Sequence, residues 1–174
     1  MVELPLPPDI LAARLQNELE SCSRYLGAVL TPDGPLNSLP VEVEVEMRNV
    51  VGPSMIGDRV VKRRNHRFTM SIDREYPFEK PRVRWRTPVF HPNIMMPEDG
   101  GFVCIKQLDG WTFNSTLLSF IKSVESLLTN PNPHNPFGTP SCTAAAEYFN
   151  RNRIDHGPTI VRPRPRIVEK CQQR

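Results

Sequence analysis

The sequence predicts an α+β domain, with helices packed on one face of an antiparallel sheet, and three features carry that reading. Val41-Glu42-Val43-Glu44-Val45-Glu46-Met47 alternates strictly, the signature of a strand with one wet face. Apolar residues recur at helical spacing on either side of the strand region: Leu11, Leu15, Leu19, Cys22 and Leu26 before it, and Leu117, Phe120, Ile121, Val124, Leu127 and Leu128 after it. Between strands and second helix lies an irregular stretch, 87–114, punctuated by Pro88, Pro92, Pro97, Gly100, Gly101 and Gly110. Strands grouped together and helices at the ends make α+β rather than an alternating parallel fold.

Taken in order, Pro7 and Pro8 precede Asp9, which the pattern makes the N-cap of a helix running to about Leu26. Strand segments follow at 41–47, 59–63, 67–72 and 82–86. Phe68, Met70 and Ile72 alternate with polar residues in the third, and Val83 and Trp85 alternate with arginines in the fourth. Arg64-Asn65-His66 suits a hairpin turn, so a four-strand antiparallel meander is expected. A central helix begins near Ser115, and a short Ala-rich helix covers about 143–152.

A chain of 174 residues suffices for one domain that buries roughly 70% of the surface its unfolded form exposes. Its core therefore needs neither disulfides nor metal. Cys22, Cys104, Cys142 and Cys171 show no CxxC pair and no zinc spacing with the four histidines, so reduced thiols, no metal site and no cofactor are expected. No apolar run approaches the ~18 residues of a membrane span. The net charge of +3 is uneven: residues 151–174 carry +5 and the remainder −2. Arg162-Pro163-Arg164-Pro165-Arg166 could suit an acidic partner or nucleic acid. It has no interleaved aromatic platform for bases, which weighs against nucleic acid.

The irregular stretch holds the candidate chemistry, because so long a structureless segment in a compact domain is usually functional. Cys104 lies eleven residues after Asn93, itself in the rigid turn Phe90-His91-Pro92-Asn93-Ile94. A thiol beside a side-chain amide, with no histidine base in the local pattern, suits thioester exchange better than peptide hydrolysis. Cys22, on an apolar stripe, and Cys142, beside an Ala-rich helix, read as small core hydrophobes.

Upstream of that turn stands Tyr76-Pro77-Phe78-Glu79-Lys80-Pro81. Downstream of Cys104 come Trp111 and Pro131-Asn132-Pro133-His134-Asn135-Pro136. In this order, from about residue 10 to residue 150, the set resembles the ubiquitin-conjugating enzyme family. The resemblance implies a ubiquitin-conjugating fold over residues 1–156, followed by an Arg/Pro-rich basic tail at 157–174. It implies that Cys104 accepts ubiquitin or a ubiquitin-like modifier from an activating enzyme as a thioester. The modifier then passes to a substrate protein lysine, usually with a RING-type ligase, in the cytoplasm and without a cofactor. Asn93 is then a catalytic residue, either stabilising the oxyanion or holding the loop, with His91, Pro92 and Asn135 supporting the catalytic loop. Arg14, Phe78 and Trp111 fall on the partner-binding face.

The chain departs from the family pattern at several points. Asn135 stands where many members have an aspartate, and Asn17 where a lysine is common. The connection Met95–Gly101 is longer than usual, and Thr112-Phe113-Asn114 replaces small residues and proline after Trp111. The sequence leaves open ubiquitin, a related modifier or an archaeal-type pathway. A catalytically silent binding module of the same fold is the competing reading, and the presence of both Cys104 and His91-Pro92-Asn93 argues against it.

Overall fold

The computed structural model describes residues 5–105 and 110–152. Helix α1 (Pro8–Leu26) starts with proline at its first position and ends at Gly27, whose φ of 67° is left-handed. Pro7 occupies the N-cap without a side-chain hydrogen bond, and the expected cap, Asp9, lies in the first turn. There its carboxylate faces the positive end of the helix dipole. Leu11, Leu15, Leu19 and Cys22 are buried as one stripe.

Five strands form among the described residues: β1 (Val41–Met47), β2 (Gly52–Ile56), β3 (Arg59–Arg63), β4 (His66–Ile72) and β5 (Arg82–Trp85). They build two antiparallel sheets, one ordered β1-β4-β5 and the other a β2-β3 hairpin. The single four-strand meander is therefore corrected. Gly52-Pro53-Ser54-Met55-Ile56 carries no alternation, yet it pairs with β3 from Gly52↔Arg63 to Ile56↔Arg59. β1 bypasses the hairpin and pairs directly with β4, and Arg64-Asn65-His66 links β3 to β4 without a ladder between them.

Register explains the choice. Matching Val43 with Met70 and Val45 with Phe68 puts every inward residue of β1 opposite an inward residue of β4, whereas β3 is half-exposed throughout. The hairpin is pinned to the core at Gly52. A Cβ there would stand 2.6 Å from Leu128 Cδ1 and 2.9 Å from His66 Nε2, so only glycine lets the backbone approach.

Helix α2 (Leu117–Thr129) opens with a capping box between Thr116 and Ser119 and buries Leu117, Phe120, Ile121, Val124, Leu127 and Leu128. Helix α3 (Pro140–Arg151) starts three residues earlier than the alanine pattern suggested. Thr139 caps it by accepting from the Cys142 N–H, and Pro140 fits the first turn. One continuous core joins the inner face of the larger sheet to the apolar stripes of α1 and α2.

A largely buried carboxylate ties α1, α2 and the loop between β4 and β5 together. Glu18, 11% exposed, accepts from Arg14 Nε at 2.7 Å and from the Leu117 backbone N–H at 2.7 Å. The Tyr76 hydroxyl also donates to it. Burial, followed by this carboxylate, raises the Tyr76 phenol well above its ordinary value, which keeps it a donor. Removing Glu18 would take this acceptor from a phenol and a helix N–H at once, and cut Arg14 back to its bonds with Phe113 O and Ser115 O. Glu18→Ala is therefore expected to cost ~3–5 kcal/mol in urea denaturation, as for breaking a buried pair. Glu44→Ala, at an exposed pair with Arg67, should stay within ~0.5 kcal/mol. Equal losses would show that the Glu18 cluster does not organise the fold.

Candidate active site

Main-chain bonds turn the irregular stretch into a closed structure. Ile94 bridges to Val103, the Met95 N–H donates to Phe102 O at 2.8 Å, and the Cys104 N–H donates to Asn93 O at 2.9 Å. Asn93 and Cys104, eleven residues apart in sequence, are thus adjacent. The longer connection between them folds into a 3-10 turn, Pro97–Asp99, closed by Gly100. Gly101 then passes under β5 with φ of 63°, donating to Met96 O at 3.0 Å and accepting from the Trp85 N–H at 2.7 Å. A Cβ at Gly101 would stand 2.5 Å from the Trp85 carbonyl oxygen.

The Asn93 side chain, 3% exposed, is fully engaged. Its Nδ2 donates to the backbone oxygens of Asn132 and Asn135, both at 3.0 Å, and its Oδ1 accepts from the Asn132 N–H at 2.8 Å. Pro92 reinforces the joint through its carbonyl, which accepts from the Phe137 N–H at 3.0 Å. Asn135 thus enters the site through its main chain. The geometry is that of a clasp holding the 131–137 loop against the Cys104 segment, with both amide hydrogens already committed.

His91 locks the same turn from behind. Its Nδ1 accepts from the Asn93 N–H at 3.0 Å, which leaves Nε2–H to donate to Leu127 O at 2.9 Å at the end of α2. Complete burial pushes its pKa down to about 4, so the ring is neutral and has no free nitrogen for general-base work.

Cys104 is half-buried and packs beside a small cluster of Met95, Phe137 and Cys142. Cys142 is fully buried, its thiol 3.5 Å from Ile94 O and raised in pKa by burial. Cys22 is also fully buried, and desolvation pushes it up to about 12. Both are free thiols and read as core hydrophobes, as expected. Cys104 differs from the expected reduced thiol, its sulfur being in a disulfide in this structure. Cys171, the 157–174 tail and the arginine–proline run lie outside the described residues.

A second face is built around Arg14. Besides Glu18, its Nη2 donates to Phe113 O at 2.8 Å and Ser115 O at 2.9 Å, and its guanidinium lies 4.9 Å from the centre of the Phe113 ring. Phe78 is half-buried against Phe113, ring centres 5.3 Å apart. Trp111 is turned into the fold: its indole donates to Pro77 O at 2.7 Å, and its ring lies 6.0 Å from both Tyr76 and Phe120. Sequence reasoning missed Phe113, 43% exposed, as a member of this face, and Glu18 as its organiser. The available signals were an unexpected aromatic two residues after Trp111 and the i,i+4 spacing of Arg14 and Glu18.

With this geometry in view, comparison with known proteins is direct. A family model described as ubiquitin-conjugating enzyme matches residues 50–156, and the chain belongs to that family. Ubiquitin conjugating enzyme E2 B of Dictyostelium discoideum is 35% identical over 74 residues, covering 41% of this chain and 49% of the relative. A probable ubiquitin-conjugating enzyme, E2 L460, of Acanthamoeba polyphaga mimivirus is 31% identical over 93 residues, covering 52% and 55%. The chain thus spans about half the length of these two relatives. Ubiquitin-conjugating enzyme E2 2 of Saccharomyces cerevisiae is 29% identical over 140 residues, covering 80% of this chain and 73% of the relative. Among solved structures, S. cerevisiae Ubc12 superposes with a TM-score of 0.61 at 24% identity, covering 81% of this chain and 71% of its own. A Toxoplasma gondii ubiquitin conjugating enzyme domain gives 0.58 at 20%, covering 80% and 87%. These structural likenesses establish the fold.

Among the described residues, no helix is long and apolar enough to cross a membrane, and no cluster of three His, Cys, Asp or Glu could hold a metal.

The His91 tautomer has a pH consequence. Its folded pKa is depressed, so between the ordinary value of 6.5 and about 4 the unfolded chain binds the extra proton. Stability is full above that window and falls as pH drops through it, by up to about 1.4 kcal/mol per pH unit for one proton. Buried His66, also depressed, acts in the same direction. Urea denaturation from pH 7 to 4.5 should show this decline, and imidazole nitrogen NMR should still show neutral Nε2–H His91 at pH 5. A charged His91 ring at pH 5.5 in folded protein would overturn the assignment.

Proposed function

We propose that this chain is an active conjugating enzyme that carries ubiquitin or a ubiquitin-like modifier as a thioester on Cys104. The observation that supports this most is the 2.9 Å bond from the Cys104 N–H to the Asn93 carbonyl. It sets a half-buried sulfur on a fixed platform, while Cys22 and Cys142 are fully buried. In the reduced protein the Cys104 thiolate attacks the carbonyl carbon of the modifier's thioester with an activating enzyme. A new thioester forms and the activating enzyme's thiolate leaves. A deprotonated substrate lysine then attacks the Cys104 thioester, an amide forms, the Cys104 thiolate leaves, and the proton lost by nitrogen passes to solvent.

Asn93 supports this chemistry as the clasp of the site. Asn135 supplies no charge at the position where many family members carry an aspartate, so acceptor activation here rests on desolvation and orientation. On the other face, Phe78 and Phe113 form an aromatic pair held rigid by Arg14, the kind of preorganised anchor that dominates interfaces. We assign this face to the activating enzyme and a RING-type ligase. A thioester carrier needs a reduced sulfur, so the reading also places the protein in the cytoplasm.

After prior reduction of the enzyme, incubation with ATP and candidate pairs of activating enzyme and modifier should yield a thiol-sensitive adduct. Cys104→Ser should give a thiol-resistant oxyester, because an alkoxide leaves less readily than a thiolate. Cys104→Ala should give no adduct, while Cys142→Ala should still charge. Charging of Cys104→Ala would remove the assignment.

Asn93→Ala separates clasp from oxyanion donor. Losing three part-buried side-chain hydrogen bonds should lower stability by ~2–4 kcal/mol, read by denaturation, and slow transfer to lysine. Unchanged stability with a ~10²–10³-fold slower transfer would instead make the amide an oxyanion donor.

A further inference from the structure

The β2–β3 hairpin leaves one edge unpaired, and strand geometry says which groups stand on it. Residues along an antiparallel pair alternate between those that exchange both hydrogen bonds across the pair and those that turn N–H and C=O outward. Pro53, opposite Lys62, belongs to the second set, because its carbonyl accepts from the Phe90 N–H at 2.9 Å on the outer side of β2. Lys62 and, by the same alternation, Val60 therefore point N–H and C=O away from β2, along the outer edge of β3. Among the described residues β3 pairs with β2 alone, so no strand lies beside these groups.

The same stretch forms one side of an apolar groove of about 530 Å³. Val60, Val61 and Lys62 line it from the hairpin, and Leu128, Tyr148 and Phe149 line it from the ends of α2 and α3. Tyr148 is fixed there, edge-on to Phe149 at 5.2 Å and to Phe90 at 5.9 Å. Charge then selects the occupant. Arg59, Lys62, Arg63 and Arg64 are all exposed, with Asp58 the one carboxylate beside them. Among the described residues none of these four cations is in an ion pair. A second copy pairing edge to edge would set them against their own counterparts, the repulsion by which cationic edge strands resist self-association.

We propose that this edge takes up an extended, acidic segment of another protein as a third strand. The segment's backbone pairs with the outward N–H and C=O groups of Val60 and Lys62. Its apolar side chains enter the groove against Tyr148 and Phe149, and its carboxylates meet Arg59, Lys62 and Arg63. In such strand additions main-chain pairing supplies affinity and the side chains supply selectivity. A two-stranded hairpin is marginal in water on its own, so a third strand also stabilises the element that receives it.

The test uses the full chain and a fluorescein-labelled peptide of about eight residues that alternates isoleucine and glutamate, long enough to span β3. Fluorescence anisotropy should show saturable binding. The exposed-site variant Arg59→Glu, Lys62→Glu should weaken it about tenfold or more, and so should a peptide with lysine in place of glutamate. Methylating every backbone nitrogen of the peptide keeps its charges but removes its donors, and should also weaken binding about tenfold or more. Saturating peptide should slow amide exchange at Val60 and Lys62 by about tenfold or more and leave β1 unchanged. Equal binding of the methylated peptide, or binding without slower exchange at these two amides, would reduce the contact to charge attraction and overturn strand addition. So would absence of binding at millimolar peptide. Self-association of the chain, abolished by Arg59→Glu, Lys62→Glu in sedimentation, would assign the edge to a second copy and likewise overturn the proposal.

Discussion

The candidate site hangs on the hydrogen bonding of one asparagine. Asn93 uses its main-chain carbonyl to hold Cys104 and its side-chain amide to hold the 131–137 loop. Regular secondary structure links neither segment to the other. Because the side chain is almost completely buried, each of these bonds is made where water cannot replace it. His91 extends the arrangement to the end of α2 without adding charge, its burial keeping the ring neutral. The result is a rigid mount for a sulfur rather than a proton-transfer device.

The two faces of the protein differ in how they treat charge. On the outer side of the larger sheet, Glu44 meets Arg67 at 3.5 Å and Arg82 meets Asp73 at 2.5 Å, pairs that stay solvated and contribute little to stability. Around Glu18, by contrast, a single carboxylate is shared by a guanidinium, a phenol and a helix N-terminus in a mostly dry environment. Arg14 is thereby held still enough to position Phe113, and through it Phe78. A loop face gains rigidity from a helix in this way, and a preorganised face loses less entropy on association than a mobile one.

Much of this was legible in the sequence where one physical rule acts alone. The stripe on α1, the alternation of β1 and β4 and the broad apolar face of α2 follow from periodicity and were found where expected. β2 was not legible, because Gly52 and Pro53 carry no pattern and the glycine is required by the proximity of Leu128, a contact 76 residues distant. The pairing of β1 with β4 was misread because neighbouring segments were assumed to pair, whereas the complementarity of inward residues decides. At the site, motif and spacing pointed to Cys104, Asn93 and His91, which the fold brings side by side. They could not show that both hydrogens of the Asn93 amide are taken, that Trp111 faces inward, or that Phe113 joins Phe78. Those facts depend on where loops cross in three dimensions, and no local rule reports it.

The passage of Gly101 beneath β5 separates two quantities that loops usually couple, the number of residues and the distance they bridge. Its carbonyl and the Trp85 N–H close the connection at one end, and the bond between Cys104 and Asn93 closes it at the other. Whatever lies between must leave as an exposed bulge, here the Pro97–Asp99 turn with Glu98 and Asp99 facing solvent. Length and charge can therefore vary in that bulge without moving the sulfur relative to the turn that holds it. The rim of the site is free to diversify, and the mount beneath it is not.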